Sequence, residues 1–219
     1  MTFIAVALLA AAQLATAHFG IEYPEWRANT LSGNTNYSQW VWPCANVPGN
    51  LPNGNRTDWP LTGGSVKLDL HHPWSYVFIN LGLGENVTVF NYTLTPSLVN
   101  STGNGSLCIP SLPLPADLSV SDGDLASIQV VTSGASGSAL YNCADITFRA
   151  NAKALSGDDC KSDEGVSFSV VTAEASNSTN NTSTPGGTNG NSASAGGVNT
   201  LVLTSVVGLA VAFVYGVGV

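Results

Sequence analysis

Apolar segments at the two ends of this 219-residue chain confine its folded part to the residues between them. At the front, residues 3–12 are apolar and Ala15-Thr16-Ala17 has small residues at the cleavage positions, so residues 1–17 are predicted to be a secretory signal peptide. At the back, residues 201–219 are almost wholly apolar and carry no charge. We therefore predict one folded domain over residues 18–172.

The segment before the apolar tail has the composition of a stalk. Gly, Ser, Thr and Asn dominate residues 175–197, so we predict a flexible, glycosylated stalk over residues 173–192. Small residues, a polar spacer and a terminal apolar tail form the pattern of a GPI-anchor signal. The anchor is predicted near Asn191 and Ser192, with residues 193–219 removed on maturation. The alternative is a tail-anchored membrane helix, although no basic residues follow the apolar segment.

The charge and the sequons of the chain favour an exported glycoprotein. The net charge is −8 with only six Lys and Arg residues, which argues against nucleic-acid binding because phosphates need a basic cluster. Asn-x-Ser/Thr sequons recur along the chain, and this density predicts a heavily glycosylated surface. The sequons lie at Asn36, Asn55, Asn86, Asn91, Asn100, Asn104, Asn177, Asn180 and Asn181.

The four cysteines predict two disulfides. An even set in an exported chain is usually paired, and no Cys-x-x-Cys spacing indicates a zinc or iron–sulfur site. Four cysteines allow three pairings, which the sequence does not separate. We prefer the nested arrangement, Cys108 with Cys143 and Cys44 with Cys160.

The domain is predicted to be all-β. Residues 65–71 alternate between apolar and polar, which is typical of a half-buried strand. Residues 76–83, 86–94, 127–132, 139–148 and 166–171 are also predicted to be strands, separated by Gly, Asn, Asp and Ser turns. Short strands with frequent breaks indicate a sandwich or a barrel, and residues 26–60 provide a long loop.

The predicted cleavage site makes His18 the first residue of the mature protein. A terminal histidine offers an α-amine and an imidazole to the same metal ion, and one further histidine completes three nitrogen ligands that suit copper. The other histidines are His71 and His72. His72 continues the apolar phase of its strand, whereas His71 follows Lys67 and Asp69, so we prefer His72 as the second ligand. The alternative is one surface histidine and one ordinary core histidine.

Asp145 is the candidate for a third, carboxylate ligand. It lies between Ala144 and Ile146 in a predicted strand, where burial of a charge is costly unless the charge is paired or bound to metal. The alternative is a solvated Asp145 that faces outward.

Together, several motifs of residues 18–171 resemble one fungal family. They are His18-Phe-Gly-Ile-Glu-Tyr-Pro-Glu-Trp-Arg27, Trp42-Pro43-Cys44, Leu61-Thr-Gly-Gly64 before a His-Pro strand, and Tyr141-Asn-Cys-Ala-Asp145. The family comprises copper-binding proteins that are similar to lytic polysaccharide monooxygenases and includes fungal copper acquisition factors. This resemblance implies an immunoglobulin-like or fibronectin-like antiparallel β-sandwich with long loops. It also implies a histidine brace for one copper ion, with His18, His72 and Asp145 as ligands.

These observations predict a GPI-anchored, extracellular copper-binding protein on the plasma membrane or cell wall that supports copper acquisition or homeostasis. A carboxylate on the metal competes with an oxidant, so we favour copper binding without catalysis. A membrane copper transporter is a possible partner, and cell-wall polysaccharide is another. The alternative is a copper-dependent polysaccharide monooxygenase or oxidase. A wall glycoprotein without metal is a third interpretation.

Overall fold

The computed structural model describes residues 18–32, 36–49, 51 and 54–171. The predicted signal peptide, stalk and anchor signal lie outside these residues, as do Asn177, Asn180, Asn181, Asn191 and Ser192. Among the described residues, no helix is long and apolar enough to cross a membrane.

The described residues form two packed β-sheets, which confirms the predicted all-β sandwich. The strands are β1 (Phe19–Tyr23), β2 (Arg56–Pro60), β3 (Gly63–Leu70), β4 (Trp74–Leu83), β5 (Tyr92–Thr93), β6 (Leu98–Thr102), β7 (Gly105–Pro113), β8 (Leu125–Ser133), β9 (Ala139–Arg149) and β10 (Ser167–Val171). A short 3-10 helix, η1, spans Gly157–Cys160.

The smaller sheet has the order β1-β3-β7, and the larger sheet has the order β10-β6-β4-β8-β9-β2, with β5 also paired to β4. All strand pairs are antiparallel except β2 and β9, which run parallel, so the larger sheet is mixed rather than purely antiparallel.

The core lies between the two sheets because alternate residues of each strand face inward. Leu68 of β3, Ile79 of β4 and Ile128 of β8 are fully buried. Trp59 of β2 closes one end of the core, where its ring meets Phe148 edge-to-face and its Nε1 donates to the Ser65 carbonyl oxygen at 3.2 Å. Burial of such side chains stabilises the sandwich by roughly 1.5–3 kcal/mol each.

The predicted strand over residues 86–94 is mostly a loop, because only Tyr92–Thr93 pair with β4. The loop crosses β4 at Gly82, where an added Cβ would lie 2.3 Å from the Val87 side chain and 2.6 Å from the Val89 carbonyl oxygen. Only glycine, which has no side chain, permits this close approach. The loop here leaves the sheet.

The loop between β1 and β2 attaches to β9 and covers part of the outer face of the larger sheet. The Arg27 amide donates to the Cys143 carbonyl oxygen at 2.9 Å, and the Tyr141 amide donates to the Gln39 carbonyl oxygen at 2.8 Å. The Gln129 side chain on that face donates to the Pro43 carbonyl oxygen at 2.9 Å.

Two disulfides are present, as predicted, but the nested pairing is wrong. The bonds join Cys44 to Cys143 and Cys108 to Cys160. Cys143 lies on the outer face of the larger sheet beneath the loop that carries Cys44. Cys108 lies on β7 in the smaller sheet, beside η1. Packed sheets are about 10 Å apart, which exceeds the reach of a disulfide between Cys108 and Cys143.

Candidate metal centre

His18 stands at the start of β1, directly opposite His71. The β1–β3 register pairs Phe19 with Leu70, so the next pair outward is His18 and His71. The His71 amide donates to the His18 carbonyl oxygen at 3.3 Å. The His18 ring also meets the Trp40 ring edge-to-face, with centroids 6.5 Å apart. The fold therefore holds the predicted mature N-terminus against the histidine doublet.

Buried polar side chains fix the backbone immediately after His18. The Phe19 amide donates to Gln39 Oε1 at 3.1 Å, and Gln39 Nε2 donates to the Phe19 carbonyl oxygen at 2.8 Å. Asn142 Nδ2 donates to the same oxygen at 2.9 Å. Thr30 completes the network, because it accepts from Gln39 and donates to Asn142. Both backbone groups of Phe19 are thus satisfied by side chains, which restricts the position of His18.

The two histidines of the doublet have different environments. His71 is exposed, and its Nε2 lies 2.9 Å from Asp69 Oδ2. His72 is only 8% exposed, which confirms that it continues the buried phase of the strand. Its Nε2 is buried and has no hydrogen-bond partner among the described residues. A buried nitrogen without a partner is costly, so this atom fits a metal ligand.

Gly134 borders the His72 ring. A Cβ at position 134 would lie 3.4 Å from both Cε1 and Nε2 of His72. Gly134 lies in the connection between β8 and β9. Because glycine has no side chain, the space next to His72 Nε2 on this side is left open. A side chain introduced at position 134 would therefore contact His72 Nε2.

The neighbourhood of His18 favours its neutral form. Burial lowers the pKa of His18 below its ordinary value of 6.5, and positive charge on His71 and then on His72 lowers it further. Neutral imidazole is the form that binds metal. The lowered pKa of His18 therefore reduces the competition between a proton and a metal ion for its imidazole.

The structure does not bring Asp145 to the histidines. Asp145 is buried on β9, on the face that carries Cys143, whereas Asn142 faces the other way and contacts Phe19. Arg27 Nε donates to both carboxylate oxygens at 3.1 and 3.0 Å, and Arg27 Nη2 donates to Oδ1 at 3.0 Å. The Ser127 hydroxyl also donates to Oδ1. Protein donors occupy the carboxylate, so this geometry gives no support to Asp145 as a third ligand.

Within the described ranges, no group of three or more His, Cys, Asp or Glu side chains is arranged to hold a metal ion. The α-amine that cleavage after Ala17 would create is the additional ligand on which the predicted site depends. Residues 33–35, 50, 52 and 53, which fall in gaps of the described ranges, contain no Asp or Glu.

Sequence reasoning missed the residues that position the site. Gln39 and Asn142 are 1% exposed. Gln39 lies outside the family motifs, and Asn142 is identified only as part of the Tyr141–Asp145 motif, not as a partner of Phe19. Arg27 was identified only as part of the family motif, not as the partner of Asp145. One signal for the Arg27–Asp145 pair is the scarcity of basic residues in the chain, because a buried carboxylate then has few cations with which it can pair.

Comparison with known proteins places the chain in a family. The copper acquisition factor BIM1-like domain matches residues 16–165. A lytic polysaccharide monooxygenase-like protein X325 of Aspergillus fumigatus is 33% identical over 197 residues, which cover 76% of this chain and 81% of that protein. The lytic polysaccharide monooxygenase-like protein ham-7 of Neurospora crassa is 35% identical over 157 residues, 64% of this chain and 67% of that protein. A lytic polysaccharide monooxygenase-like protein X325 of Hypocrea jecorina is 38% identical over 157 residues, again 64% of this chain and 67% of that protein. The chain therefore belongs to the copper acquisition factor BIM1-like family.

Proposed function

We propose that the mature protein binds one copper ion through His18 and His72 at the cell surface and supports copper acquisition or homeostasis. The family supports the coarser part of this statement, a copper-related extracellular function. The histidine brace, the anchor and the transport role are our proposal.

The buried, unpartnered Nε2 of His72 carries the proposal. His18 lies close enough to the doublet for both His71 and His72 to lower its pKa. Cleavage after Ala17 would add the α-amine, whose proton must leave near its ordinary pKa of about 7.7–8.0 before the nitrogen can bind. Copper bound there is the cargo, and the chain contributes two imidazoles and an amine.

The hydrogen bonds around Phe19 give the site its rigidity. Gln39 and Asn142 hold the backbone one residue after the amine, so the chelating residue needs little ordering when the metal arrives. Preorganised ligands bind metal more tightly, because less conformational entropy is lost on binding.

A copper-dependent monooxygenase or oxidase is the second candidate function. The Asp145 carboxylate would not compete with an oxidant for the metal, since Arg27 holds its oxygens. Trp40 is 49% exposed and its ring meets the His18 ring, which leaves aromatic surface close to His18. Reductant-driven release of oxidised oligosaccharides from several polysaccharides, absent in His18→Ala, would favour this function over copper acquisition.

Anchoring and partners complete the proposal. Anchoring near Asn191 or Ser192 would keep the copper site at the outer membrane surface, next to a membrane copper transporter that receives the ion. Release of the protein from intact cells by a phosphatidylinositol-specific phospholipase C supports the anchor. Retention of the protein after this treatment argues for a membrane helix.

The decisive experiment for the site removes the α-amine of His18 as a ligand. Calorimetry compares protein that begins at His18 and has a free α-amine with the same protein acetylated at that amine, whose His18 nitrogen is then an amide. We expect one equivalent of Cu(II) to bind tightly only to the protein with the free amine. Equal affinity for both forms would refute the brace.

A further inference from the structure

We propose that an N-linked glycan on Asn100 packs over an exposed row of aromatic side chains on the outer face of the larger sheet. The row, called here the aromatic row, consists of Trp74, Tyr76 and Phe78 on β4. This inference is independent of the copper site and requires only that the chain enters the secretory pathway.

The aromatic row arises from the alternation of β4. Residues 75, 77 and 79 are buried in the core, and the intervening residues face outward. Trp74, Tyr76 and Phe78 remain 37%, 38% and 38% exposed. Trp74 and Tyr76 also touch edge-to-face, with ring centroids 5.5 Å apart. Contiguous apolar surface of this kind usually marks a contact site or an aggregation risk.

Asn100 lies beside the middle of the aromatic row. The register of β4 and β6 pairs Tyr76 with Asn100 and Trp74 with Thr102. Directly opposed side chains point to the same face, with Cβ atoms about 4.5–5.5 Å apart. Asn100 and Thr102 are also the first and third residues of the sequon Asn100-Ser101-Thr102. The acceptor residue of this sequon is therefore the direct cross-strand neighbour of Tyr76, on the same face of the sheet.

The opposite flank of Asn100 leaves room for a sugar. There the register places Ser169 of β10 opposite Asn100 and Ser167 opposite Thr102, and both serines are exposed. The first sugar has small neighbours on one side and aromatic rings on the other. The apolar C–H face of a pyranose packs favourably against the electron-rich face of an aromatic ring.

The modification follows the ordinary chemistry of N-glycosylation. The side-chain nitrogen of Asn100 bonds to the anomeric carbon of the first N-acetylhexosamine and loses a proton, while the lipid-linked pyrophosphate of the sugar donor leaves. The reaction precedes folding, so the sugar is in place when β4 and β6 pair.

Asn104 provides a matched control. Its sequon lies only four residues further along, in the turn between β6 and β7, outside the strand register that pairs Asn100 with Tyr76. The chain is expressed with its own leader in a eukaryotic secretory host. Glycopeptide mass spectrometry then measures occupancy, and thermal unfolding measures Tm for wild type, Asn100→Gln, Asn104→Gln and each of these with Tyr76→Thr.

We expect Asn100 to be occupied and Asn100→Gln to lower Tm by several degrees, while Asn104→Gln leaves it unchanged. Trimming the glycans to one sugar should preserve the wild-type Tm, and the effect of Asn100→Gln should vanish in the Tyr76→Thr background. An unoccupied Asn100, equal shifts for the two sequons, or an effect that persists without Tyr76 would overturn the proposal. If Asn100→Gln is not secreted, the glycans are removed enzymatically from folded wild type and folded Tyr76→Thr, and removal should lower Tm in the wild type more than in Tyr76→Thr.

Discussion

Replacement of Asp145 by Asn tests whether this carboxylate stabilises the fold or binds copper. The Arg27 and Asp145 side chains are only 3% and 5% exposed, so their ion pair is almost fully desolvated. Removal of one partner from a buried pair leaves the other charge without compensation and typically costs about 3–5 kcal/mol. In a domain of this size, a loss of about 1 kcal/mol in the free energy of unfolding lowers Tm by roughly 2–4 °C. We therefore expect Asp145→Asn to lower Tm by about 6–20 °C.

The control is Asp69→Asn, which removes an exposed pair. The His71 and Asp69 side chains are 42% and 40% exposed, so solvent screens their interaction and its loss costs about 1 kcal/mol at most. Both variants are measured by thermal and urea unfolding without metal. The Cu(II) EPR spectrum of each folded variant is then compared with that of the wild type.

We expect Asp145→Asn to destabilise the fold and to leave the Cu(II) spectrum unchanged. A loss of stability no larger than that of Asp69→Asn would refute the ion-pair account. A changed Cu(II) spectrum in a folded Asp145→Asn protein would instead return Asp145 to the metal site.

Three further predictions test the surroundings of the site. Gly134→Asp places a carboxylate beside His72 Nε2, so we expect calorimetry to show tighter Cu(II) binding than in wild type, whereas Gly134→Ala does not tighten it. Gln39→Leu frees the Phe19 backbone, and we expect about 10- to 100-fold weaker copper binding in a protein that still folds by circular dichroism. Because the pKa of His18 is lowered in the folded protein, its contribution to stability is present above pH 6.5 and is lost as the pH falls. Urea unfolding without metal should therefore show a smaller decrease in the free energy of unfolding between pH 7 and pH 5 for His18→Ala than for the wild type.

Five of the predicted strands are confirmed, because β3, β4, β8, β9 and β10 lie within about two residues of their predicted ranges. Alternation of hydrophobic and polar residues indicates β3, and runs of aromatic and β-branched residues between turn signals indicate the others, including β8 and β9, which are buried on both faces. β7 was not predicted, since Pro110 interrupts its pattern. β1 and β2 are short and take their partners from distant parts of the chain.

The site was predictable only where one residue type is rare. Three histidines in the chain limit the imidazole ligands to His18, His71 and His72, and the alternation of β3 correctly identifies His72 as buried. For Asp145 the sequence leaves open whether the carboxylate is buried or solvated, and it does not predict Arg27 as the partner. Arg27 lies 118 residues away in the chain. The residues around a buried carboxylate do not show whether a cationic side chain or a metal ion compensates its charge.

The most direct test of the central claim is the EPR spectrum of Cu(II) bound to protein that begins at His18, compared with the spectra of His72→Ala and His71→Ala. We predict nitrogen coordination in the wild type and in His71→Ala, because His71 is exposed and bonded to Asp69. His72→Ala should lose a nitrogen ligand and bind copper more weakly. An unchanged spectrum in His72→Ala, or its loss in His71→Ala alone, would contradict the assignment of the copper site to His18 and His72.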